Sequence, residues 1–221
     1  MTTRFDALLA RALDGGRIEA GEARALYGGG PLPELAYAAN VLAGRRNSPS
    51  VRTYGIDRNI NYTIVCSVRC DFCAFSRSED ASDAYVLPFE TLGEKIEETR
   101  RAGGTHILLQ GGLHPALPFS WYLDLLRFIR TEHPIHVHAF SPPEIVHLAG
   151  IAGRTVPEVL AALKEAGLGS VPGGGAEILS DGIRGRVSPR KCGAEAWIAV
   201  MRDAHRLGLP TTATMMIGFG E

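Results

Sequence analysis

Three cysteines stand close together about a third of the way along the chain. They are Cys66, Cys70 and Cys73, in the order C-x-x-x-C-x-x-C. A structural zinc site needs four protein ligands in a tetrahedron, so three thiolates leave one position unfilled. An iron–sulfur cluster held by three cysteines leaves one iron open to another ligand. The motif therefore favours a cluster that takes part in chemistry. The alternative is a zinc site completed by a histidine or by Asp71.

The composition limits the classes of protein to which the chain can belong. Of its 221 residues 45% are hydrophobic and 21% are charged, with a net charge of -1, which is ordinary for a globular domain. No basic stripe alternates with aromatic residues, so nucleic acid is not an expected partner. The N-terminus lacks a secretory signal, and no apolar run approaches the roughly 18 residues of a membrane span. We therefore expect a cytoplasmic protein without a membrane partner.

The cysteine count argues against a disulfide framework. Three of the four cysteines belong to the motif, and Cys192 is predicted to be an unpaired small residue. Free thiols are typical of a reducing compartment.

The elements that must position the motif are predicted from periodicity. Residues 1–50 are expected to form a helical extension, with Gly28, Gly29 and Gly30 ending a helix. From residue 57 onward, short apolar runs alternate with longer amphipathic segments, which is typical of βα units. The predicted strands are 60–65, 106–110, 135–139, 169–171 and 211–217. The predicted helices are 88–102, 120–132, 142–149 continued by 157–166, and 194–207.

Five consecutive parallel strands favour an α/β fold of the TIM-type barrel class over a doubly wound sheet. Glycine-rich or polar segments follow every predicted strand rather than a single switch point. These segments are 66–73, 111–115, 140–144, 172–177 and 218–221. Because the chain stops directly after the fifth strand, we expect residues 51–221 to form a partial barrel whose C-terminal part is missing.

The cysteine motif resembles the signature of radical S-adenosylmethionine enzymes, with Phe72 directly before the last cysteine. In that superfamily the three cysteines bind a 4Fe-4S cluster. The open iron binds the amino and carboxylate groups of S-adenosylmethionine, and one electron releases a 5′-deoxyadenosyl radical. The resemblance implies both cofactors here, with Cys66, Cys70 and Cys73 as metal ligands. It also implies a one-electron reductant, such as flavodoxin or ferredoxin, as a partner.

Further cofactor contacts follow from the same resemblance. Gln110, Gly111 and Gly112 stand where the superfamily has a Gly-Gly-Glu-like stretch that accepts the methionine ammonium, and glycine permits close backbone approach. Leu113 replaces the usual glutamate, so only the backbone contact carries over. Glu177 stands where the superfamily often binds the ribose hydroxyls; its other reading is an exposed helix-start residue. Ser141 is either a helix cap or a hydrogen-bond partner of the cofactor.

Longer stretches resemble a narrower family, the cyclic dehypoxanthinyl futalosine synthases of the futalosine route to menaquinone. The deazaflavin-synthase subunits tend toward Pro-Gly-Thr-Ala-Ala-Glu, where this chain has Pro-Gly-Gly-Gly-Ala-Glu at 172–177. Aminofutalosine synthases differ at 138–144. The resemblance implies a radical cyclase that abstracts a ribose hydrogen from dehypoxanthine futalosine and closes the sugar onto the benzoate ring. A related radical enzyme of these two kinds, an inactive fragment or a zinc-binding module are the alternatives. The stretches that carry the resemblance are 57–63, 109–112, 135–145, 172–179, 188–191 and 211–216.

The implied cyclisation also needs a proton acceptor. The candidates are His138, Glu144 and Glu221. His136 shares a strand face with His138, and it is equally readable as a satisfied strand histidine. Four basic residues could pair with the benzoate carboxylate or form a solvated face. They are Arg184, Arg186, Arg190 and Lys191.

Overall fold

The computed structural model describes residues 4–48 and 50–218. The chain divides into two compact units, Met1–Tyr54 and Gly55–Glu221. The described part of the first unit contains helices α1 (Arg4–Leu13), α2 (Ala20–Gly29) and α3 (Leu32–Arg46). Its small core consists of Leu8, Leu9, Leu26 and Ala38. Helix α2 ends at Gly29, so the predicted helix end in this glycine run is confirmed.

The second unit is built on a parallel sheet flanked by helices. Strands β1 (Asp57–Asn61), β2 (His106–Gln110) and β3 (His136–Ala139) pair in the order β1-β2-β3. The predicted βα alternation is thus confirmed, because α4 and α5 connect these strands. The helices of this unit are α4 (Phe89–Arg101), α5 (Phe119–Glu132), α6 (Pro142–Ala152), α7 (Val156–Ala166), α8 (Asp181–Val187) and α9 (Ala194–Arg206).

Several predicted element bounds are wrong. Strand β1 ends at Asn61, because the following segment bonds instead to the chain returning from the cysteine loop, with the Leu87 and Arg77 amides donating to Tyr62 and Ile64 carbonyls. The predicted strands at 169–171 and 211–217 contribute only isolated parallel bridges, at Ser170, Val171, Thr211 and Met215. Helix α8 was not predicted, since its short segment contains two glycines and no clear apolar stripe.

The two faces of the sheet differ in polarity. Ile60, Ile107, Leu109, Val137 and Ala139 are buried in the main core with the helices. Side chains alternate along a strand, so Asn61, Gln110 and His138 belong to the other face. None of the described helices is by itself long and apolar enough to span a membrane. Among the described helices, the pair α6 and α7, bent by 103° at their junction, reaches that length and composition together.

Candidate active site

A cavity of about 240 Å³ lies at the carboxyl end of the sheet. Asn61 and Gln110, the last residues of β1 and β2, line it, and so does Ser141, which directly precedes α6. The structure therefore brings together most residues that the sequence nominated. The other nominated residues in its wall are Cys66, Cys70, Cys73, Phe72, Gly111, Gly112, Glu144, Glu177 and Lys191.

Main-chain hydrogen bonds hold the cysteine loop in place. The Cys66 amide donates to the Arg77 carbonyl at 3.0 Å, and the Asp71 amide donates to the Val187 carbonyl at 3.1 Å. Arg69 has φ 50°, a left-handed conformation that is strained for a residue with a side chain. Cys66 and Cys70 are half-buried and Cys73 is exposed. The loop therefore presents its thiols to the cavity from a backbone fixed at both ends.

The thiols interact electrostatically. Burial raises the pKa of Cys70, and the ammonium of Lys191 opposes that rise. Ionised Cys66 and Cys73 would raise the pKa further. A metal would favour the thiolate forms by replacing this mutual repulsion with attraction.

Three thiols line the cavity, and an iron–sulfur cluster held by three cysteines keeps one iron open. Among residues 4–48 and 50–218, no group of three or more His, Cys, Asp or Glu side chains is arranged to hold a metal ion. A single tetrahedral ion with bonds of about 2.3 Å would draw its thiolates to about 3.8 Å of one another. In a 4Fe-4S cluster each cysteine binds a different iron, so the sulfurs lie farther apart. The buried Ser76 hydroxyl also lines the cavity without a protein partner, and a bound polar group would satisfy it.

The glycine pair after β2 approaches the cysteine loop closely. A Cβ on Gly111 would lie 2.5 Å from the Tyr62 ring, and one on Gly112 would lie 2.1 Å from the Val65 carbonyl oxygen and 2.9 Å from the Cys66 Cβ. No side chain fits at either position. The backbone of this segment could therefore contact a ligand bound beside the cysteines.

Glu144 is fully buried and accepts four hydrogen bonds. Its Oε1 accepts from the Tyr62 hydroxyl at 2.8 Å and from the Gly111 amide at 3.0 Å. Its Oε2 accepts from the Ser141 amide at 2.8 Å and from the Ser141 hydroxyl at 2.6 Å, which completes the capping box of α6. Burial raises the pKa of Glu144, and these hydrogen bonds oppose the rise. Ser141 therefore caps α6, and it also lines the cavity.

Glu177 forms a buried ion pair with Lys191. Nζ and Oε1 are 2.6 Å apart, and the two side chains are only 12% and 10% exposed. The ammonium also lies 5.1 Å from the centre of the Phe72 ring. Glu177 has φ 44° and precedes α8 by four residues, so its reading as an exposed helix-start residue is wrong.

Arg184 has a role that sequence reasoning missed. Its side chain is buried and donates to the carbonyls of Gly175 at 3.0 Å, Ala176 at 2.5 Å and Cys192 at 2.5 Å. The expectation of a benzoate partner or a solvated face is therefore wrong for Arg184. The guanidinium instead holds the glycine-rich segment before Glu177. Nothing in the local sequence separates this arginine from its exposed neighbours.

The predicted proton acceptors occupy different places. His138 lines a second cavity together with His106, His136 and Ser170. The Ser170 hydroxyl lies 2.7 Å from both His136 Nε2 and His138 Nδ1. Burial lowers the pKa of His138, and His136 and His106 lower it further. Glu144 lies in the cysteine cavity, whereas Glu221 lies outside the described residues.

Comparisons with known proteins define the class. The model of the Radical SAM superfamily matches residues 60–221. The solved structure of methylornithine synthase superposes with a TM-score of 0.69 at 16% identity, covering 96% of this chain and 60% of that one. The FeFe-hydrogenase maturase HydG from Carboxydothermus hydrogenoformans gives 0.67 at 15% identity, covering 98% and 49%. The chain therefore belongs to the radical SAM superfamily, whose enzymes use a 4Fe-4S cluster and S-adenosylmethionine.

Two curated relatives are similar to this chain over most of its length. Cyclic dehypoxanthine futalosine synthase of Halalkalibacterium halodurans is 44% identical over 218 residues, covering 98% of this chain and 59% of the relative. The 5-amino-6-(D-ribitylamino)uracil–L-tyrosine 4-hydroxyphenyl transferase of Methanopyrus kandleri is 49% identical over 167 residues, covering 75% and 45%. The chain thus spans about half the length of the relatives it matches.

Proposed function

We propose that this chain carries the radical domain of a cyclase that converts dehypoxanthine futalosine to cyclic dehypoxanthinyl futalosine. The similarity to the Halalkalibacterium halodurans protein, at 44% over 98% of the chain, supports this reaction. In menaquinone biosynthesis the product would be the spiro-cyclic compound. Residues 1–50 would be the helical extension and residues 51–221 the catalytic domain, a partial barrel in which the bridged segments at Ser170 and Thr211 extend the parallel sheet.

Two glycines favour this cyclisation over the reaction of the deazaflavin-synthase subunits. Gly174 and Gly175 stand where the deazaflavin-synthase subunits tend to have threonine and alanine. A Cβ on Gly174 would lie 2.6 Å from Gln110 Nε2, and one on Gly175 would lie 2.4 Å from the Pro143 side chain. Gly175 also has φ +75°, which disfavours alanine. The packing at this rim of the cavity therefore suits glycine at position 175 in particular, because the flexible Gln110 side chain can move away from a Cβ at position 174.

The site residues take defined roles in this proposal. Cys66, Cys70 and Cys73 hold the cluster, and the backbone of Gln110, Gly111 and Gly112 accepts the ammonium of S-adenosylmethionine. Glu177 accepts hydrogen bonds from the ribose hydroxyls, while Phe72 and Ser141 complete the wall. When bound, the two cofactors supply the radical that removes a hydrogen atom from the substrate ribose. The chain's own contribution is orientation and water exclusion, which can account for a large part of a rate enhancement.

Among the predicted proton acceptors, His138 lines the second cavity, with the Ser170 hydroxyl 2.7 Å from its Nδ1 and the Thr212 hydroxyl 3.5 Å from its Nε2. The lowered pKa of His138 keeps its imidazole neutral, and neutral imidazole accepts a proton. We propose His138, rather than Glu144, as the acceptor. Glu221 stays a prediction.

The second candidate function is the 4-hydroxyphenyl transfer of the Methanopyrus kandleri relative. The identity of 49% over 167 residues favours it. Under this reading the substrates would be 5-amino-6-(D-ribitylamino)uracil and L-tyrosine.

A paired assay distinguishes the two functions. The chain, reconstituted anaerobically with iron and sulfide, is incubated with S-adenosylmethionine, a flavodoxin or ferredoxin reductant, and either substrate set. With dehypoxanthine futalosine, and not with the other substrate set, we expect 5′-deoxyadenosine and a cyclised product two hydrogens lighter than the substrate. The mass difference follows from one abstracted hydrogen atom plus one electron and one proton lost on rearomatisation. Coupled product from the uracil and tyrosine set would move the assignment to the transferase, and Cys70→Ala serves as the inactive control.

A further inference from the structure

One buried carboxylate joins three segments of the cavity wall. Glu144, in the first turn of α6, accepts hydrogen bonds from Tyr62 just after β1, from Gly111 just after β2 and from Ser141 at the cap of α6. Tyr62 and Glu144 are 82 residues apart in sequence, and Gly111 and Glu144 are 33 apart. The contact is therefore made only when the sheet and α6 come together.

Helix capping alone does not explain this arrangement. Helix α7 has the same capping box, in which Glu158 Oε2 accepts from the Thr155 amide at 2.8 Å and from its hydroxyl at 2.7 Å. That pair is exposed, and its hydrogen bonds lower the pKa of Glu158. In both boxes the cap uses Oε2. The hydrogen bonds to Glu144 Oε1 and the burial of this side chain have no counterpart at Glu158. Burying a carboxylate is costly unless hydrogen bonds compensate for the lost water, so these contacts go beyond what a helix cap needs.

The hydrogen-bond partners of Glu144 Oε1 lie at the Gly111–Gly112 segment and beside it. The Gly111 amide is held by Oε1, while the Tyr62 ring fills the space where a Gly111 side chain would be. The Gly112 amide in turn donates to the Thr63 carbonyl at 3.0 Å, directly after Tyr62. Oε1 therefore fixes both the orientation of the Gly111 peptide and the aromatic wall behind it.

We propose that Glu144 is a positioning residue that holds the Gly111–Gly112 backbone in the conformation that receives S-adenosylmethionine. This inference rests on the proposed cofactor role of that backbone. Glu144 is not the proton acceptor of the reaction, because each of its oxygens already accepts from two donors. Its effect on the cofactor is transmitted through Gly111 and Tyr62.

The test compares two glutamates in matched capping boxes. Glu144→Gln and Glu158→Gln both weaken a cap, but only the first places an amide against the Tyr62 and Gly111 donors. Tyr62→Phe is the third variant, because it removes one donor to Oε1 and leaves the α6 cap intact. Each reconstituted protein is measured for iron content, thermal midpoint and the dissociation constant of S-adenosylmethionine by anaerobic equilibrium dialysis.

We expect the dissociation constant to rise about tenfold in Glu144→Gln and in Tyr62→Phe, because the Gly111 peptide would be less firmly held in the conformation that binds the cofactor. A hydrogen bond to a charged group shifts such an equilibrium by about a factor of ten or more. Iron content should stay at the wild-type level, and Glu158→Gln should bind as wild type does. Wild-type affinity in Tyr62→Phe, even with a lowered thermal midpoint, would reduce Glu144 to a structural role and overturn the proposal. So would normal binding in Glu144→Gln with loss of product alone, which would indicate proton transfer. A wild-type protein that holds iron but does not bind S-adenosylmethionine would overturn the proposed function, and this inference with it.

Discussion

Replacing Glu177 by glutamine should destabilise the protein strongly, because Lys191 would remain buried without its anion. The two charged atoms are 2.6 Å apart, and both side chains are about nine-tenths buried. At an effective dielectric constant of about 20, their direct attraction is about 6 kcal/mol. Removing both charges from water offsets much of this attraction. Breaking such a pair from one side costs about 3 to 5 kcal/mol.

A double-mutant cycle measures the interaction. Thermal unfolding of the reconstituted wild type, Glu177→Gln, Lys191→Met and the double variant gives the four corners. We expect each single variant to lose about 3 kcal/mol, because each leaves one buried charge unpaired. The double variant should lose far less, so the coupling free energy should be about 3 kcal/mol. For a chain of this size, such a single-variant loss corresponds to a fall of about 6 to 12 °C in the unfolding midpoint.

An exposed ion pair provides the control. Arg127 and Asp124 on α5 are 3.0 Å apart with side chains 56% and 59% exposed. The equivalent cycle with Arg127→Met and Asp124→Asn should give a coupling below about 1 kcal/mol. If the Glu177–Lys191 coupling were equally small, the two charges would not be paired away from water, and the reasoning from their burial would be refuted.

Two further predictions concern the thiols and the histidines. Cys66→Ala, Cys70→Ala and Cys73→Ala should each lose iron and visible absorbance on reconstitution. Cys192→Ala should keep both, since Cys192 packs against the main core and is not among the cavity-lining residues. An iron-free Cys192→Ala protein would contradict this ligand assignment. The lowered pKa of His138 keeps its imidazole neutral in the folded protein. In the unfolded chain this histidine has a pKa of about 6.5, so below that pH the unfolded chain binds more protons than the folded one. The stability that His138 contributes at neutral pH is therefore lost as the pH falls through that value. His138→Asn should therefore flatten the decline of the unfolding midpoint as the pH falls below about 6.5. An unchanged slope would show that other groups cause the decline.

Much of the fold was predictable because its causes are local. The alternation of apolar and amphipathic segments reflects which side chains each element buries, so the ends of α4, α5, α7 and α9 were predicted to within one residue. The bounds of a strand depend on the segments to which its backbone forms hydrogen bonds. The segment after Asn61 looks like a strand in sequence, yet its carbonyls bond to Leu87 and Arg77 rather than to a continuous ladder. Only the path of the returning chain decides that outcome.

The cysteine motif was visible in the sequence because its three members lie within eight residues. The spacing of the cysteines favoured an open iron–sulfur cluster, and the resemblance of the motif to the radical S-adenosylmethionine signature indicated the superfamily. The roles of Glu144, Lys191 and Arg184 were decided only by the tertiary structure. Each of these side chains bonds to another segment: Glu144 to Tyr62, Lys191 to Glu177 and Arg184 to Gly175. A buried charge is stable only where folding supplies compensating groups, and a single sequence does not show which distant segment will supply them.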